Sequence, residues 1–183
     1  NRIFIYLRVN LIFKKMKKII LFVLVSLCLV SCGEEKKQEV VKESEVKNKY
    51  SIVIDAVYEK NDSLLFIYEK DGALLFDKVK GINVKGSPMA QQITFDFPEG
   101  EKVDNIGITM SFNKDQKNLV VKSITIKNGD KTIISANDNY LTYFQAGDGF
   151  SWDAKNSMYV LDHTKKYPPS FMGSEQLKAM LQD

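Results

Sequence analysis

Metal-binding and redox-active side chains are scarce in this sequence. It contains one histidine, His163, and two cysteines, Cys28 and Cys32. A structural zinc site usually takes four cysteine or histidine ligands, so this composition excludes a zinc cluster of the usual type. A Ser-His-Asp triad would have to use His163. No nucleophile-elbow sequence accompanies that histidine, and we expect it to be an ordinary surface residue.

No apolar run is long enough for a membrane-spanning helix. Residues 19–30, IILFVLVSLCLV, make a run of twelve residues, whereas a helix that spans a bilayer needs about 20. A basic start, a short apolar stretch and a small-residue exit are typical of a secretory signal peptide. Met16 fits its first residue, and residues 1–15 are then upstream sequence. A transmembrane helix from Ile3 is disfavoured, because Arg8 and four lysines interrupt it.

A cysteine closes the apolar run, in the stretch Leu29-Val30-Ser31-Cys32. This stretch resembles the lipobox of bacterial lipoproteins, Leu-x-[Ser/Ala/Gly]-Cys, which directly follows an apolar region. The resemblance implies that the signal, residues 1–31, is removed and that Cys32 is acylated with diacylglycerol and palmitate. Each buried methylene contributes about 0.8 kcal/mol, and two or more chains anchor a protein stably. We therefore expect membrane lipid as a partner and an outer-membrane location in the cell envelope.

Removal of residues 1–31 reverses the charge of the chain. The whole sequence carries 26 basic and 23 acidic residues, a formal charge of +3. The removed segment holds six basic residues and no acidic ones, so the mature chain carries −3. The basic character belongs to the signal and is no argument for a nucleic-acid partner. The mature chain also keeps a single cysteine, so no internal disulfide can form and the core must hold the fold unaided.

Residues 33–49 follow this cysteine and read GEEKKQEVVKESEVKNK. Their five glutamates and five lysines, without an aromatic residue, cannot bury enough apolar surface to offset the entropy of ordering. We expect a flexible, disordered tether over residues 32–49. Gly33-Glu34-Glu35 also resembles the acidic export signals of Bacteroidetes-type surface lipoproteins, which implies a domain at the cell surface rather than in the periplasm.

The remaining residues, 50–183, are predicted to form one domain in which apolar and polar side chains alternate. This period of two is typical of half-buried β-strands and is clean over residues 106–112. A shift of the pattern near Lys122-Ser123 predicts a β-bulge, and Asn128-Gly129 predicts a hairpin. Ser174 can cap a short C-terminal helix. We therefore predict a mainly β domain, an antiparallel, jelly-roll-like β-sandwich with one terminal helix.

Three stretches within residues 64–127 read LLFIYEKDGALLFDK, ITFDFPEGEKVDNIGITMSF and LVVKSITIKNG. Together they resemble the carbohydrate-binding-module-like, jelly-roll domains of bacterial surface and glycan-related proteins. Two positions depart from that pattern: Pro98 follows Phe97 where the pattern has leucine-proline, and Gly107 stands where it has an arginine. The matching motifs are packing motifs, so the resemblance implies a fold rather than an activity.

Aromatic residues are concentrated in residues 140–159, YLTYFQAGDGFSWDAKNSMY, which include the only tryptophan. Flat rings that face sugar C–H surfaces, flanked by carboxylates that accept hydroxyl protons, would form a glycan site. The predicted ligand contacts are Trp152, Tyr143, Asp148 and Asp153. The alternative is that aromatic rings fill the core, which we expect for Phe144 and Phe150.

Calcium is the one metal that the sequence leaves open, because loop carboxylates and carbonyls are its usual ligands. Asn137-Asp138-Asn139 and the pair of Asp148 and Asp153 are the candidates. Such residues also form turns, and this is the interpretation we favour. We expect no other cofactor.

Three functions fit these observations. The first is a non-enzymatic, membrane-anchored lipoprotein that binds a glycan. The second is a structural or accessory lipoprotein that binds another envelope protein and presents an exposed apolar patch to it. The third is an envelope hydrolase, which requires paired acids or a His163 constellation in a cleft. We expect the first function and no enzymatic activity.

Overall fold

The computed structural model describes residues 48–78 and 80–183. The signal peptide, the predicted acylation site Cys32 and most of the predicted tether lie outside the described residues and stay predictions. Within the described ranges, no helix has the length and apolar character needed to cross a membrane. These residues form two antiparallel β-sheets and one short C-terminal helix, which confirms the predicted fold class.

Each sheet of the described domain contains six strands. Sheet A consists of β1 (Tyr50–Tyr58), β5 (Gln91–Asp96), β7 (Asn118–Asn128), β8 (Lys131–Ile134), β10 (Phe150–Asp153) and β11 (Met158–Leu161). Sheet B consists of β2 (Asp62–Lys70), β3 (Ala73–Leu74), β4 (Lys80–Val84), β6 (Asn105–Thr109), β9 (Phe144–Ala146) and β12 (Ser170–Gly173). The order in sheet A is β10-β11-β7-β1-β5 with β8 beside β7, and in sheet B it is β3-β2-β6-β12-β9 with β4 beside β2. The chain passes repeatedly from one sheet to the other, as in jelly-roll-like sandwiches.

The core lies between the two sheets, where the apolar side chains of alternating strand positions meet. Along β1 every second residue is buried. Phe66 of sheet B stacks on Phe95 of sheet A with 4.6 Å between ring centroids, and Tyr68 meets Phe97 edge-on at 5.5 Å. An aromatic side chain buries about 150–250 Å². These pairs therefore hold the sheets face to face.

Strand β7 contains the predicted bulge and leads into the predicted hairpin. Asp55 of β1 pairs with Ser123 and the next residue of β1 pairs with Val121, so Lys122 is the extra residue of the bulge. The hairpin connects β7 to β8 through Gly129 and Asp130, one position later than the predicted Asn128-Gly129 turn. Gly129 has a φ of 57°, a conformation that glycine adopts without a steric penalty.

Strand β6 departs from the predicted alternation. It ends at Thr109, so Met110 and Phe112 lie outside it, and all five of its residues are buried. A side chain at position 107 would lie on the outer face of sheet B. The Met172 side chain covers Gly107 on that face, since a Cβ on Gly107 would lie 3.3 Å from the Met172 Cε. A strand covered on both faces does not show a half-buried pattern.

The C-terminal helix α1 spans Glu175–Gln182 and confirms the predicted helix. The Ser174 Oγ accepts a hydrogen bond from the Leu177 N–H at 3.3 Å, the N-cap interaction that the sequence predicts. Leu177 and Leu181 are buried, and Lys178 forms an ion pair with Glu69 of β2 at 2.7 Å. The helix therefore packs on the domain through its apolar stripe.

The two ends of the sandwich differ. The described chain begins at one end, with residue 48. At this end the Lys49 carbonyl accepts a hydrogen bond from the Gly129 N–H at 2.9 Å. The Tyr50 hydroxyl donates to the Leu181 carbonyl at this same end. The opposite end, which we call the far end, consists of residues 59–62, 85–90, 110–117 and 162–169. Because β1 has nine residues with a rise of about 3.3 Å each, the two ends are about 27 Å apart.

Candidate functional site

The segment 140–159, which the sequence predicts as a ligand site, lies along one side of the sandwich. It contains a 3-10 turn at Tyr140–Thr142 and the strands β9 and β10. β9 lies at one edge of sheet B and β10 lies at one edge of sheet A. We call this side, where the chain crosses between the two outermost strands, the side edge. Phe144 is buried here and Phe150 packs against the core, as expected.

Five aromatic rings form one cluster at the side edge: Tyr140, Phe150, Trp152, Tyr159 and Phe171. The Phe171 ring of sheet B lies 4.8 Å from Phe150 and 5.4 Å from Tyr159 of sheet A. The Tyr140 ring lies 6.3 Å from Phe171, and its hydroxyl is 3.4 Å from the Tyr159 hydroxyl. Burial raises the pKa of both tyrosines, so their hydroxyls stay neutral hydrogen-bonding groups.

Trp152 is the exposed member of this aromatic cluster. It is 51% exposed, while its ring contacts the buried Tyr159 ring edge-on, with 5.1 Å between centroids. The two residues are direct partners across β10 and β11. The indole is therefore held by the core on one side and open to solvent on the other.

The other three predicted contacts have different surroundings. Tyr143 is half-buried and packs against the core. Asp148 is exposed in the connection between β9 and β10. Asp153 accepts hydrogen bonds from the Asn156 side chain at 2.7 Å and from the N–H groups of Asn156 and Lys155. The bonds from Asn156 and Lys155 lower the pKa of Asp153 and tie its carboxylate to the β10–β11 turn.

Three of the residues considered for calcium, Asp138, Asn139 and Asp153, form turn hydrogen bonds. The Asp138 carboxylate accepts a hydrogen bond from the Ser135 N–H at 2.7 Å. The Asn139 Oδ1 accepts one from the Leu141 N–H at 3.1 Å, at the start of the 3-10 turn. Across residues 48–78 and 80–183, no group of three or more His, Cys, Asp or Glu side chains is placed to hold a metal ion. The observed bonds match the turn interpretation of these residues.

His163 lies at the far end and is half-buried, rather than the expected surface residue. Its Nε2 is 3.3 Å from the Ser111 Oγ, and that Oγ is 2.6 Å from the Asp62 Oδ2. An ionised carboxylate only accepts, so Ser111 donates its single proton to Asp62. The His163 Nε2 then carries a proton and donates to Ser111. The other ring nitrogen, Nδ1, is buried and has no hydrogen-bond partner among the described residues.

The order of these three side chains is not that of a catalytic triad. In a triad, the histidine lies between the serine and the aspartate and takes the serine proton. Here Ser111 is in the middle, bonds its proton to a carboxylate and is fully buried. Asp62 also accepts hydrogen bonds from the N–H groups of Ser63, Phe112 and Asn113 at 2.8–2.9 Å. This arrangement fastens the far-end connections together and lends no support to a hydrolase that uses His163.

A shallow depression of about 690 Å³, largely open to solvent, lies beside these residues at the far end, and we call it the far-end cleft. Its lining includes Asn61, Asp62, Ser63, Asn83, Lys85 and Phe112. Its volume is that of a small-molecule site, about 300–1,000 Å³, but a ligand bound there would keep one side in contact with solvent. Sequence reasoning missed this cleft, because Lys60-Asn61-Asp62 and Asn113-Lys114-Asp115 are separate turns along the chain and only the fold brings them together.

No family model matches the chain, and neither a curated protein nor a solved structure matches it. The resemblance to carbohydrate-binding-module-like domains therefore stays a prediction. The function has to be inferred from the geometry of the side edge and the far end.

The structure predicts that His163 makes the stability of the domain depend on pH. Burial and the nearby charge of Lys117 lower its pKa, and the opposing effect of Asp62 is smaller. The unfolded chain keeps a histidine pKa of about 6.5, so it takes up the proton first as the pH falls. The free energy of unfolding should decrease below about pH 6.5 and level off below the folded-state pKa. Urea unfolding between about pH 8 and pH 5 measures this decrease, above the range where carboxylates titrate.

A His163→Gln variant is the control for this measurement. Glutamine keeps an N–H that can donate to Ser111 but does not titrate. Its free energy of unfolding should stay constant over the same pH range. A wild-type protein without the decrease, or a variant with an equal decrease, would contradict the assignment to His163.

Proposed function

We propose that this chain is a membrane-anchored envelope lipoprotein whose β-sandwich domain binds a glycan at the side edge, without catalysing a reaction. One observation carries the binding site: Trp152 is half exposed and yet fixed by a buried partner ring. The anchor rests on the lipobox-like sequence that ends at Cys32. Acyl chains on this cysteine would hold the domain at the membrane through residues 33–49, which connect Cys32 to the domain.

The support beneath Trp152 favours a binding role. Its indole ring lies 5.1 Å from the Tyr159 ring, centroid to centroid. The Tyr159 hydroxyl is in turn hydrogen-bonded to the Tyr140 hydroxyl. A ring that is already fixed loses little conformational freedom when a ligand binds, so less of the interaction energy is lost to ordering. The exposed side of such a ring is a flat apolar surface on which the C–H face of a sugar can pack.

Carboxylates next to this ring in sequence would accept sugar hydroxyl protons. Asp148 is exposed on the connection that leads into β10. The oxygens of Asp153 already accept three hydrogen bonds from its own turn, so it has less remaining capacity for a ligand. We therefore expect Asp148 to contribute more than Asp153. Tyr143 would contribute through its exposed part only, since the rest packs against the core.

A second candidate, an accessory lipoprotein that binds another envelope protein, is favoured by the outer face of sheet B. Leu65 and Ile67 of β2 lie on this face. In the neighbouring strand β6, Gly107 pairs with Ile67 on one side and with Met172 of β12 on the other, and the Met172 side chain covers it. Met172 is 42% exposed. Polar side chains are expected on the solvent face of an antiparallel sheet. Co-purification of one envelope protein that is lost in Met172→Ser would favour this function over glycan binding.

The proposed anchor predicts a covalent modification of Cys32. Mass spectrometry of the protein purified from membranes should find Cys32 as the first residue, with acyl chains attached. A Cys32→Ser variant should lack these chains, whereas Cys28→Ser, the matched control within the apolar run, should be processed normally. An unmodified Cys32 thiol, or a leader still attached to the wild-type protein, would contradict the anchor.

The proposed site predicts that glycan binding depends on Trp152. The full chain is applied to an array of neutral oligosaccharides, and the retained protein is measured. Trp152→Ala should weaken binding by about tenfold or more, the loss expected when a central aromatic contact is removed. Trp152→Phe should lose less, because part of the flat surface remains.

Phe76→Ala is the matched control for this experiment. Phe76 is 67% exposed on the connection between β3 and β4, away from the side edge. Its removal should leave binding unchanged. If Trp152→Ala binds as well as the wild type, or if the wild type binds no neutral glycan, the proposed function is wrong.

A further inference from the structure

The far end, which the proposed function does not use, differs in charge from the rest of the mature chain. It holds six lysines and four carboxylates, a formal charge of +2, whereas the mature chain carries −3. The six lysines are Lys60, Lys85, Lys114, Lys117, Lys165 and Lys166. A positive end on a negative protein attracts anionic ligands.

These six lysines form no ion pair with any other described residue, whereas Lys70, Lys78, Lys102 and Lys178 all do. Two of the six have local contacts. The Lys114 Nζ lies 4.8 Å from the centroid of the Tyr167 ring, and the Lys117 Nζ donates to the Lys114 carbonyl at 2.7 Å. Among the described residues, carboxylates therefore do not occupy these six ammonium groups at ion-pair distance.

The cleft at the far end has walls that are fixed by hydrogen bonds. Asp62 accepts the Asn113 N–H at 2.9 Å, and the Asn113 Nδ2 donates to the Asn61 carbonyl at 2.7 Å. The Asn61 Oδ1 accepts the Gly86 N–H at 2.8 Å. A Cβ on Gly86 would lie 2.7 Å from the carbonyl carbon of Lys60, so these connections touch directly. Three connections thus form one pre-formed rim around the cleft.

The side chains of the cleft indicate the class of ligand. Ser63 and Asn83 are partners across β2 and β4 and offer a hydroxyl and an amide to sugar hydroxyls. The half-buried Phe112 offers an apolar ring, and Lys85 offers a cation. The one carboxylate in the lining, Asp62, already accepts four hydrogen bonds. This combination fits a sugar ring that carries a carboxylate.

We propose that the far-end cleft is a second binding site, which takes a glycan containing uronic acid and uses Lys85 as its charged contact. The inference rests on the proposed function for the glycan class of the ligand, but it uses neither Trp152 nor the side edge. Binding at this site should weaken with increasing salt, because its attraction acts between exposed charges. Binding of neutral glycans at the side edge should not.

The test titrates the full chain, purified in detergent, with the tetramer of galacturonic acid by isothermal titration calorimetry. The methyl ester of the same tetramer, which has the same rings without the charge, is the control ligand. Lys85→Gln should weaken binding of the acid by about tenfold, the effect of losing one hydrogen bond to a charged group. Lys122→Gln makes the same change in charge at an exposed position of β7 and should leave binding unchanged, as should Trp152→Ala.

Binding of the acid but not of the ester, weakened by Lys85→Gln and unaffected by Lys122→Gln, supports the second site. Absence of binding to the acid, equal binding of the ester, or equal weakening by both lysine variants overturns it. The two proposals fail separately, because loss of neutral-glycan binding in Trp152→Ala is measured at the other surface.

Discussion

Packing between the two sheets provides most of the buried apolar surface of this domain. Residues 48–183 contain no cysteine, so packing across the interface has to offset the entropy of ordering the chain without help from a disulfide. Aromatic rings provide much of this packing. Phe66 stacks on Phe95 in one part of the interface, and Phe171 packs against Phe150 and Tyr159 at the side edge, where the outermost strands would otherwise leave the core open to water.

This packing connects stability to recognition at the side edge. Tyr159 belongs to the core and also supports the ring of Trp152, so a substitution that loosens the cluster would loosen the exposed indole as well. The far end depends on hydrogen bonds instead. There Asp62 accepts hydrogen bonds from the neighbouring Ser63 N–H and from donors of residues 111–113, and so ties these two segments together beside the cleft. The domain therefore presents two candidate surfaces with independent structural supports, one apolar and one polar.

Local patterns in the sequence predicted the features that depend on neighbouring residues. The alternation of side chains predicted the two sheets, the change of face predicted the bulge at Lys122, and Ser174 predicted the helix cap. Long-range contacts were out of reach. Nothing near Asp62 in the sequence points to Ser111, and nothing near Gly107 points to Met172, which covers it from a strand more than sixty positions later. Trp152 was identified as a candidate by its type and segment, but its exposure is a property of the fold.

Collisional quenching of the single tryptophan by acrylamide measures whether the core holds Trp152 at the surface with one side open. In the folded full chain, we expect a quenching constant between that of a buried tryptophan and that of free N-acetyltryptophanamide. On unfolding, the constant should rise to the value of the free amide. Fluorescence that resists quenching until the protein unfolds would mean that the ring is buried. Quenching as efficient as that of the free amide would mean that Tyr159 does not hold it. Either result would rule out an indole that is supported by the core and half exposed.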